Sequence, residues 1–232
     1  MRSLQSFLCV LVIGISVTVV YALSNRSEQV ASRSGGGASA APAARPLPKD
    51  VDPDSLNRLP RVSREGLDER GKHLFDTSGM GPTAIRLYNS PLADYMSRAG
   101  EHLRTQSGLD RRLGQLAILV VAREMNNRYI WSSHEPGGLR DGLDQRTIDV
   151  VKHRRPVTGL GEKEAAIIQI GREVLREHQV SSDTFARALK LFGNQGLVNI
   201  ISVMSEYAAN CILLNAFDQQ VPPDRTSLLP IP

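Results

Sequence analysis

The pattern of apolar and polar residues divides the chain into three stretches of different character. Residues 7–23 are almost entirely apolar and follow a single basic residue, Arg2. Residues 24–49 are rich in glycine, alanine, serine and proline, and they offer too little apolar surface to offset the entropy cost of ordering them. Beyond residue 50, apolar positions recur at helical spacing. The pattern predicts a signal segment over residues 1–22, a flexible linker over 23–50 and one folded domain over 51–232.

The N-terminal stretch is typical of a secretory signal peptide. A basic residue precedes a short apolar run, and small residues occur near positions 20–22, where cleavage would fall. A retained membrane anchor is the alternative, because about 17 apolar residues are the lower limit for crossing a bilayer. We therefore expect a secreted or extracytoplasmic protein, which touches a membrane only if the leader is retained.

The domain pattern predicts helices and gives no hairpin signal. Glycine and proline clusters near residues 78–82, 136–138, 156–161 and 193 mark breaks in the pattern. Asp144 and Ser182 are suitable N-terminal caps. The most apolar segment, residues 109–128, is too long for a typical strand and is expected at the centre of the domain. We predict an all-α fold with helices over residues 63–76, 91–105, 109–128, 129–141, 144–153, 162–178, 182–193 and 196–217.

Composition and charge exclude several classes of function. The chain is 41% hydrophobic, which is globular composition, and its net charge of +4 is spread thinly. The densest basic run, residues 152–155, lacks interleaved aromatic residues, so we predict no nucleic-acid binding. We favour a solvated helix cap for this run, and the alternative is a site for a substrate carboxylate.

Cysteine and histidine spacing argues against structural disulfides and metal sites. The chain has two cysteines, Cys9 in the leader and Cys211 in the last predicted helix. Two thiols cannot make a disulfide-dense scaffold or a four-thiolate zinc site. The histidines lack metal-ligand spacing. We therefore predict no metal site.

Three stretches, taken in order, are similar to a known family. They are residues 115–124, residues 129–134 with the pattern Tyr-x-Trp-x-x-His, and residues 161–168, followed by weaker similarity to residue 223. Together they resemble the carboxymuconolactone decarboxylase family, which includes the alkylhydroperoxidase D type. The resemblance begins near residue 58 and implies an all-α, alkylhydroperoxidase D-like domain that associates as homotrimers or homohexamers.

The resemblance implies one of two chemistries. One is thiol peroxidase or disulfide reductase activity, which uses Cys-x-x-Cys-x-x-x-His and an upstream glutamate. The other is decarboxylation of a small cyclic lactone carboxylate without a redox cofactor. With His134 on the family histidine, the two cysteine positions fall on Asn127 and Ile130, and the glutamate position falls on Gln115. None of these three side chains can supply a thiolate or a carboxylate, so the redox chemistry is disfavoured.

His134 and Glu124 are the catalytic candidates. The imidazole can act as acid or base near neutral pH and could protonate an enolate formed by decarboxylation. A helical hairpin would let Glu124 orient the imidazole. For His134 the alternative is a structural histidine at a helix packing site. For Glu124 we favour the alternative, which is a solvated glutamate or one paired with Arg123 or Arg128.

Four further residues are candidates for substrate binding: Trp131, Tyr129, Gln115 and Asn127. Trp131 lies three residues before His134 and therefore on the same helical face, although an indole in the core is the simpler interpretation. Tyr129 could offer a phenol near the same pocket, and its alternative is likewise a place in the core.

The sequence therefore predicts an exported, cofactor-independent lyase or decarboxylase acting on a small carboxylated or lactone-type molecule. The first alternative is a non-catalytic oligomeric binding protein of the same fold. Thiol peroxidase or disulfide reductase activity comes third.

Overall fold

The computed structural model describes residues 46–226 and 229–230. The predicted signal segment, Cys9 and most of the predicted linker lie outside the described residues.

Within residues 46–226 the chain forms helices joined by short irregular segments. The described residues contain no strand, and their only extended pairing is an isolated bridge between Asp52 and Asn57. The all-α prediction is therefore confirmed. The helices are α1 (Glu69–Ser78), α2 (Pro82–Arg86), α3 (Ser90–Thr105), α4 (Arg111–Glu124), α5 (Arg128–Arg140), α6 (Gln145–Lys152), α7 (Glu162–Arg172) and α8 (Ser182–Ala216).

Side-chain caps explain where most helices begin. At each start a short polar side chain accepts a hydrogen bond from a backbone N–H that has no partner inside the helix. Ser181 caps α8, one residue before the Ser182 that the sequence suggested. The other caps are Asp68, Asn89, Asp110, Asn127 and Asp144.

Three elements differ from the predicted pattern. The five-residue helix α2 was missed because so short a segment shows no apolar periodicity. Helix α5 continues through Pro136, where the sequence indicated a break. Helix α7 is followed by a π-helical turn over Glu173–Glu177, and then by His178 in a left-handed conformation.

Helix α4 lies at the centre of the core. Every side chain over residues 116–122 is at most 2% exposed. Helices α5, α7 and α8 pack around it. Each fully buried leucine or isoleucine contributes on the order of 2 kcal/mol. Because α4 is one continuous helix, Gln115 near its start and Glu124 at its end lie about 13 Å apart along its axis.

Helix α8 is long and apolar enough to cross a membrane by length and composition alone, with a mean hydropathy of 1.5 in its most apolar window. Within the domain it packs against α4 and α7, and 44% of that window is buried. At Gly193 the backbone takes a non-helical conformation with φ of 65°. The break divides α8 into two helical pieces, as the glycine predicted.

Candidate active site

His134 lies on α5, and a chain of two hydrogen bonds holds its imidazole. Oε1 of Gln115 lies 2.9 Å from Nδ1 of His134. Nε2 of Gln115 donates to Oδ2 of Asp141 at 2.9 Å. Because a carboxylate only accepts hydrogen bonds, Asp141 orients the amide with its oxygen toward the histidine. The neutral His134 therefore carries its proton on Nδ1 and has a free lone pair on Nε2.

The surroundings of His134 favour the neutral form. Burial, followed by the charges of Arg104 and Arg225, lowers the pKa of His134 to about 4. The ring of Tyr207 meets the imidazole edge-on, with the ring centres 5.0 Å apart. Nε2 has no hydrogen-bond partner among residues 46–226. At neutral pH the imidazole is thus a proton acceptor.

An open cavity of about 770 Å³ borders His134. Residues of α1, α2, α3, α5 and α8 line it, together with Arg225 from the C-terminal segment. The volume lies within the range of small-molecule sites. The cationic side chains on its wall are Arg86, Arg104 and Arg225, and the acidic ones are Glu101 and Glu206.

The three guanidinium groups are held in different ways. Arg104 lies 3.5 Å from a carboxylate oxygen of Glu206. Arg225 donates to Oγ of Ser133 at 2.9 Å and lies over the ring of Tyr129. Arg86 is partly buried, and burial lowers its pKa while the charge of Glu206 opposes that shift. A guanidinium is the side chain best suited to pair with a carboxylate, so this wall fits a small anion.

The structure brings three of the six predicted site residues together. His134 and Tyr129 both line the cavity. Gln115 contacts the imidazole of His134 at Nδ1 and does not line this cavity. Burial raises the pKa of Tyr129 although Arg225 acts to lower it, so the phenol keeps its proton at neutral pH.

Trp131 and Asn127 lie outside the cavity, and their polar atoms bond to other residues of the protein. Trp131 is fully buried in the core, and its Nε1 donates to Oε2 of Glu135 at 2.8 Å. Asn127 caps α5 by accepting from the backbone N–H of Ile130, and its Nδ2 donates to Oδ1 of Asn215 at 2.8 Å. Neither residue lines the cavity.

The structure does not bring Glu124 to His134. Its carboxylate is 2% exposed and accepts hydrogen bonds from Arg176 at 2.6 and 2.7 Å and from Arg154 at 3.1 Å. Burial acts to raise the pKa of Glu124, but Arg176 and Arg154 hold it below its ordinary value. Gln115 and Glu124 lie near opposite ends of α4, and it is Gln115 that orients the imidazole. Pairing with Arg123 or Arg128 was also wrong.

The basic run over residues 152–155 is less solvated than expected. Lys152 is buried and donates to Oε1 of Glu135 at 2.5 Å, which joins α6 to α5. Arg154 donates to Glu124 and to the backbone oxygen of Arg123. These residues tie helix ends together and do not line the main cavity.

Sequence reasoning missed five cavity residues: Arg86, Arg104, Glu206, Tyr207 and Arg225. They lie on three helices and on the C-terminal segment, so no short motif contains them. The one local signal is Tyr207, a phenol inside an otherwise apolar helical face.

The described residues contain no group of three or more histidine, cysteine, aspartate or glutamate side chains placed to hold a metal ion.

The helical architecture is an all-α fold of the alkylhydroperoxidase D type. A protein of unknown function from Agrobacterium tumefaciens, whose description proposes antioxidant defence as AhpD, is similar with a TM-score of 0.55 and 17% identity. The match covers 60% of this chain and 97% of that one. An uncharacterized peroxidase-related protein from Ralstonia eutropha with an alkylhydroperoxidase AhpD core is similar with a TM-score of 0.57 and 15% identity. That match covers 73% of this chain and 94% of the other.

These similarities confirm the predicted fold and, at such identities, show the fold alone. No protein-family model matches the chain, and no curated protein matches it.

Proposed function

We propose that this protein is a cofactor-independent lyase that acts on a small carboxylated or lactone-type molecule. One observation carries the proposal. A neutral imidazole, held at Nδ1 by Gln115 and unprotonated at Nε2, borders a cavity whose wall carries three guanidinium groups. The guanidinium groups would hold the substrate carboxylate, and His134 would accept a proton.

Decarboxylation also needs a proton donor. When the bond to the carboxylate breaks, its electrons pass into a conjugated enolate, which then takes up a proton at carbon. His134, with a pKa of about 4, holds no proton on Nε2 at neutral pH, which revises the expectation that it donates directly. Burial raises the pKa of Tyr207 to about 12, so this phenol on the cavity wall keeps its proton and is our candidate donor. Its proton would pass to the enolate carbon, and the phenolate would regain the proton that Nε2 of His134 accepts from solvent, so one solvent proton is consumed for each carbon dioxide released.

The test is turnover of a carboxymuconolactone and a panel of small unsaturated carboxylic acids, followed by release of carbon dioxide. We expect His134→Gln to lower kcat by about 100-fold or more, the usual contribution of a positioned acid or base. The matched control is His153→Gln, which changes an exposed histidine outside the cavity and should leave turnover unchanged. Full turnover by His134→Gln would overturn the proposal.

A non-catalytic oligomeric binding protein is the second candidate. Its support is that Gln115, Asn127 and Ile130 occupy the family's ionisable and thiol positions, and that Asn127 is used as a helix cap. In that case the cavity would bind a small carboxylate without converting it. Saturable turnover that depends on His134 would rule this candidate out.

Thiol peroxidase activity is the third candidate. Cys211 is fully buried, and burial raises the pKa of its thiol to about 12. A neutral, inaccessible thiol is a poor nucleophile. We expect equal peroxide turnover by the wild type and by Cys211→Ser in the presence of a dithiol reductant. Turnover that is lost in Cys211→Ser would reinstate this candidate.

We further propose that residues 1–22 are a signal peptide and that the mature protein is exported. Support comes from the basic residue, the apolar run and the small residues of this stretch. N-terminal sequencing of the exported protein should begin near residue 23. Recovery of the intact N-terminus in the membrane fraction would indicate an anchor.

A further inference from the structure

Glu206 is a buried carboxylate on the cavity wall, and its two oxygens have different surroundings. Oε1 lies 3.5 Å from Nη1 of Arg104, and the side chain is 10% exposed. Oε2 is buried and has no hydrogen-bond partner among the described residues. Burying a carboxylate oxygen without a donor costs free energy, so the arrangement calls for a functional explanation.

The charged groups that face Glu206 come from several elements. Arg86 of α2 and Arg104 of α3 act on it electrostatically, and the amide of Asn210, one turn further along α8, is near enough to lower its pKa without forming a well-aligned hydrogen bond. Glu206 is therefore paired with Arg104, one of the three guanidinium groups that a ligand carboxylate would need. The same cavity also presents the titratable side chains His73, Glu101, Tyr129, His134, Tyr207 and Arg225.

Helix packing creates the position of Glu206. At Gly100 of α3, a methyl group would collide with the carboxylate of Glu206 and with Arg104. The bare backbone of Gly100 thus leaves room for the carboxylate between α3 and α8. This contact places the Glu206 carboxylate beside Arg104.

We propose that Glu206 occupies the binding site of a small monocarboxylate in the free protein, and that such a ligand displaces it from Arg104 and binds together with one proton. The proposal rests on the proposed function only in placing a carboxylate in this cavity. Two carboxylates cannot share one guanidinium site unless one of them is neutralised. Oδ1 of Asn210 is also buried without a hydrogen-bond partner, and a protonated Glu206 could donate a hydrogen bond to it.

The charges around Glu206 determine whether ligand binding takes up or releases a proton. Burial raises the pKa of Glu206, whereas Arg104, Arg86 and Asn210 act to lower it. A ligand that takes Arg104 removes the strongest opposing charge, so the pKa of Glu206 rises further in the complex. Protons are then taken up on binding, and the affinity falls as the pH rises.

The experiment is calorimetric titration of the mature protein with benzoate in two buffers that differ in ionisation enthalpy. Above the pKa of Glu206 in the free protein we expect proton uptake, and an affinity that falls by up to about tenfold per pH unit. His134, with a pKa of about 4 in the free protein, is neutral at pH 7 before the ligand binds. Glu206→Gln should bind benzoate about tenfold more tightly at pH 8, without proton uptake.

Two variants serve as controls. Glu162→Gln makes the same charge change at an exposed residue of α7 and should behave as the wild type. Arg104→Met removes the proposed anchor and should abolish benzoate binding, which gives a second test if Glu206→Gln fails to fold. Circular dichroism checks the folding of each variant.

Three results would overturn the proposal: no saturable benzoate binding by the wild type and Glu206→Gln, wild-type binding without proton uptake, or proton uptake that persists in Glu206→Gln. The proposed function is judged separately. Proton-linked binding together with full turnover by His134→Gln would overturn the lyase assignment and leave this inference standing. Benzoate binding without proton uptake, together with turnover that is lost in His134→Gln, would overturn only the inference about Glu206.

Discussion

The hydrogen-bond partners of one histidine set its chemistry. Gln115 accepts from Nδ1 of His134 because Asp141 holds the other end of the amide. The imidazole therefore presents an unprotonated Nε2 to the cavity, in surroundings that lower its pKa. A neutral amide at position 115 orients the ring without stabilising the imidazolium, as a carboxylate would.

Stability should depend on pH through His134. Its pKa is about 4 in the folded protein and 6.5 as the ordinary value, so the unfolded chain binds more protons between these limits. Stability therefore falls as the pH drops from about 6.5 to 4, by up to about 3 kcal/mol from this group. His134→Gln should flatten this part of the profile in urea unfolding, whereas His153→Gln should not. Equal profiles for wild type and His134→Gln would contradict the prediction.

Replacing Gln115 by glutamate should change the protonation of His134. A carboxylate beside Nδ1 favours the imidazolium, so we expect Gln115→Glu to raise the pKa of His134 by about 1–3 units. The new carboxylate would also face Asp141, and Asp141→Asn in the same background should relieve that repulsion. NMR titration of the imidazole measures the shift. An unchanged pKa in both variants would show that Gln115 does not set it.

At the scale of elements, contacts between helices fix where the chemistry-bearing side chains lie. The buried pair of Glu135 and Lys152 joins α5 to α6, and Trp131 donates to the same carboxylate. Glu206 on α8 reaches Arg104 because α3 has Gly100 at the crossing. Each of these contacts links residues that are distant in sequence.

Lys152→Met should destabilise the domain by about 3 kcal/mol, because it leaves the carboxylate of Glu135 buried without its cation. The double variant with Glu135→Gln as well should recover most of that loss, since no buried charge remains. Chemical unfolding of the two single variants and the double variant measures the coupling. Additive losses would contradict the interpretation.

Gly100→Ala should destabilise the domain, although alanine is the better helix former by about 1 kcal/mol. The methyl group collides with the Glu206 carboxylate, and relieving the collision moves that side chain away from Arg104. Adding Glu206→Ala removes the collision with the carboxylate and leaves the end of the Arg104 side chain free to move aside, so it should restore stability. Thermal unfolding of the three variants tests this, and a Gly100→Ala protein more stable than wild type would refute it.

At the scale of the whole molecule, an all-α fold of the alkylhydroperoxidase D type packs around a central helix, α4, and has to one side of it a cavity whose wall carries three guanidinium groups. Its surface also exposes apolar side chains on one face of α3 and the turn before it. These are Tyr88, Leu92 and Tyr95. Exposed apolar surface of this kind is typical of contacts between proteins.

The protein should associate with itself. The sequence resemblance implies a homotrimer or homohexamer, and the exposed apolar residues of α3 are compatible with such contacts. Light scattering should give three or six times the protomer mass. Tyr95→Glu, a charged substitution at the most exposed of the three, tests whether this face takes part. A monomeric wild type would contradict the prediction.

The fold was more predictable than the site, and particular residues show why. Apolar spacing and caps such as Asp144 are local signals, so most helices could be located from sequence. Glu124 was misplaced because spacing along the chain does not show that Arg154 and Arg176 hold its carboxylate at the far end of α4 from Gln115. Arg86, Arg104 and Arg225 were missed because three separate elements bring them to one cavity.

The sequence by itself determined the all-α class, the position of the main helices, the break at Gly193 and the prominence of His134, because each depends on local propensity or on a short motif. Only the tertiary structure decided what surrounds that histidine. The contact with Gln115, the guanidinium groups on the cavity wall and the buried carboxylate of Glu206 all join residues far apart in the chain. The packing of α3, α5 and α8 around the cavity sets the desolvation and charge that govern protonation there.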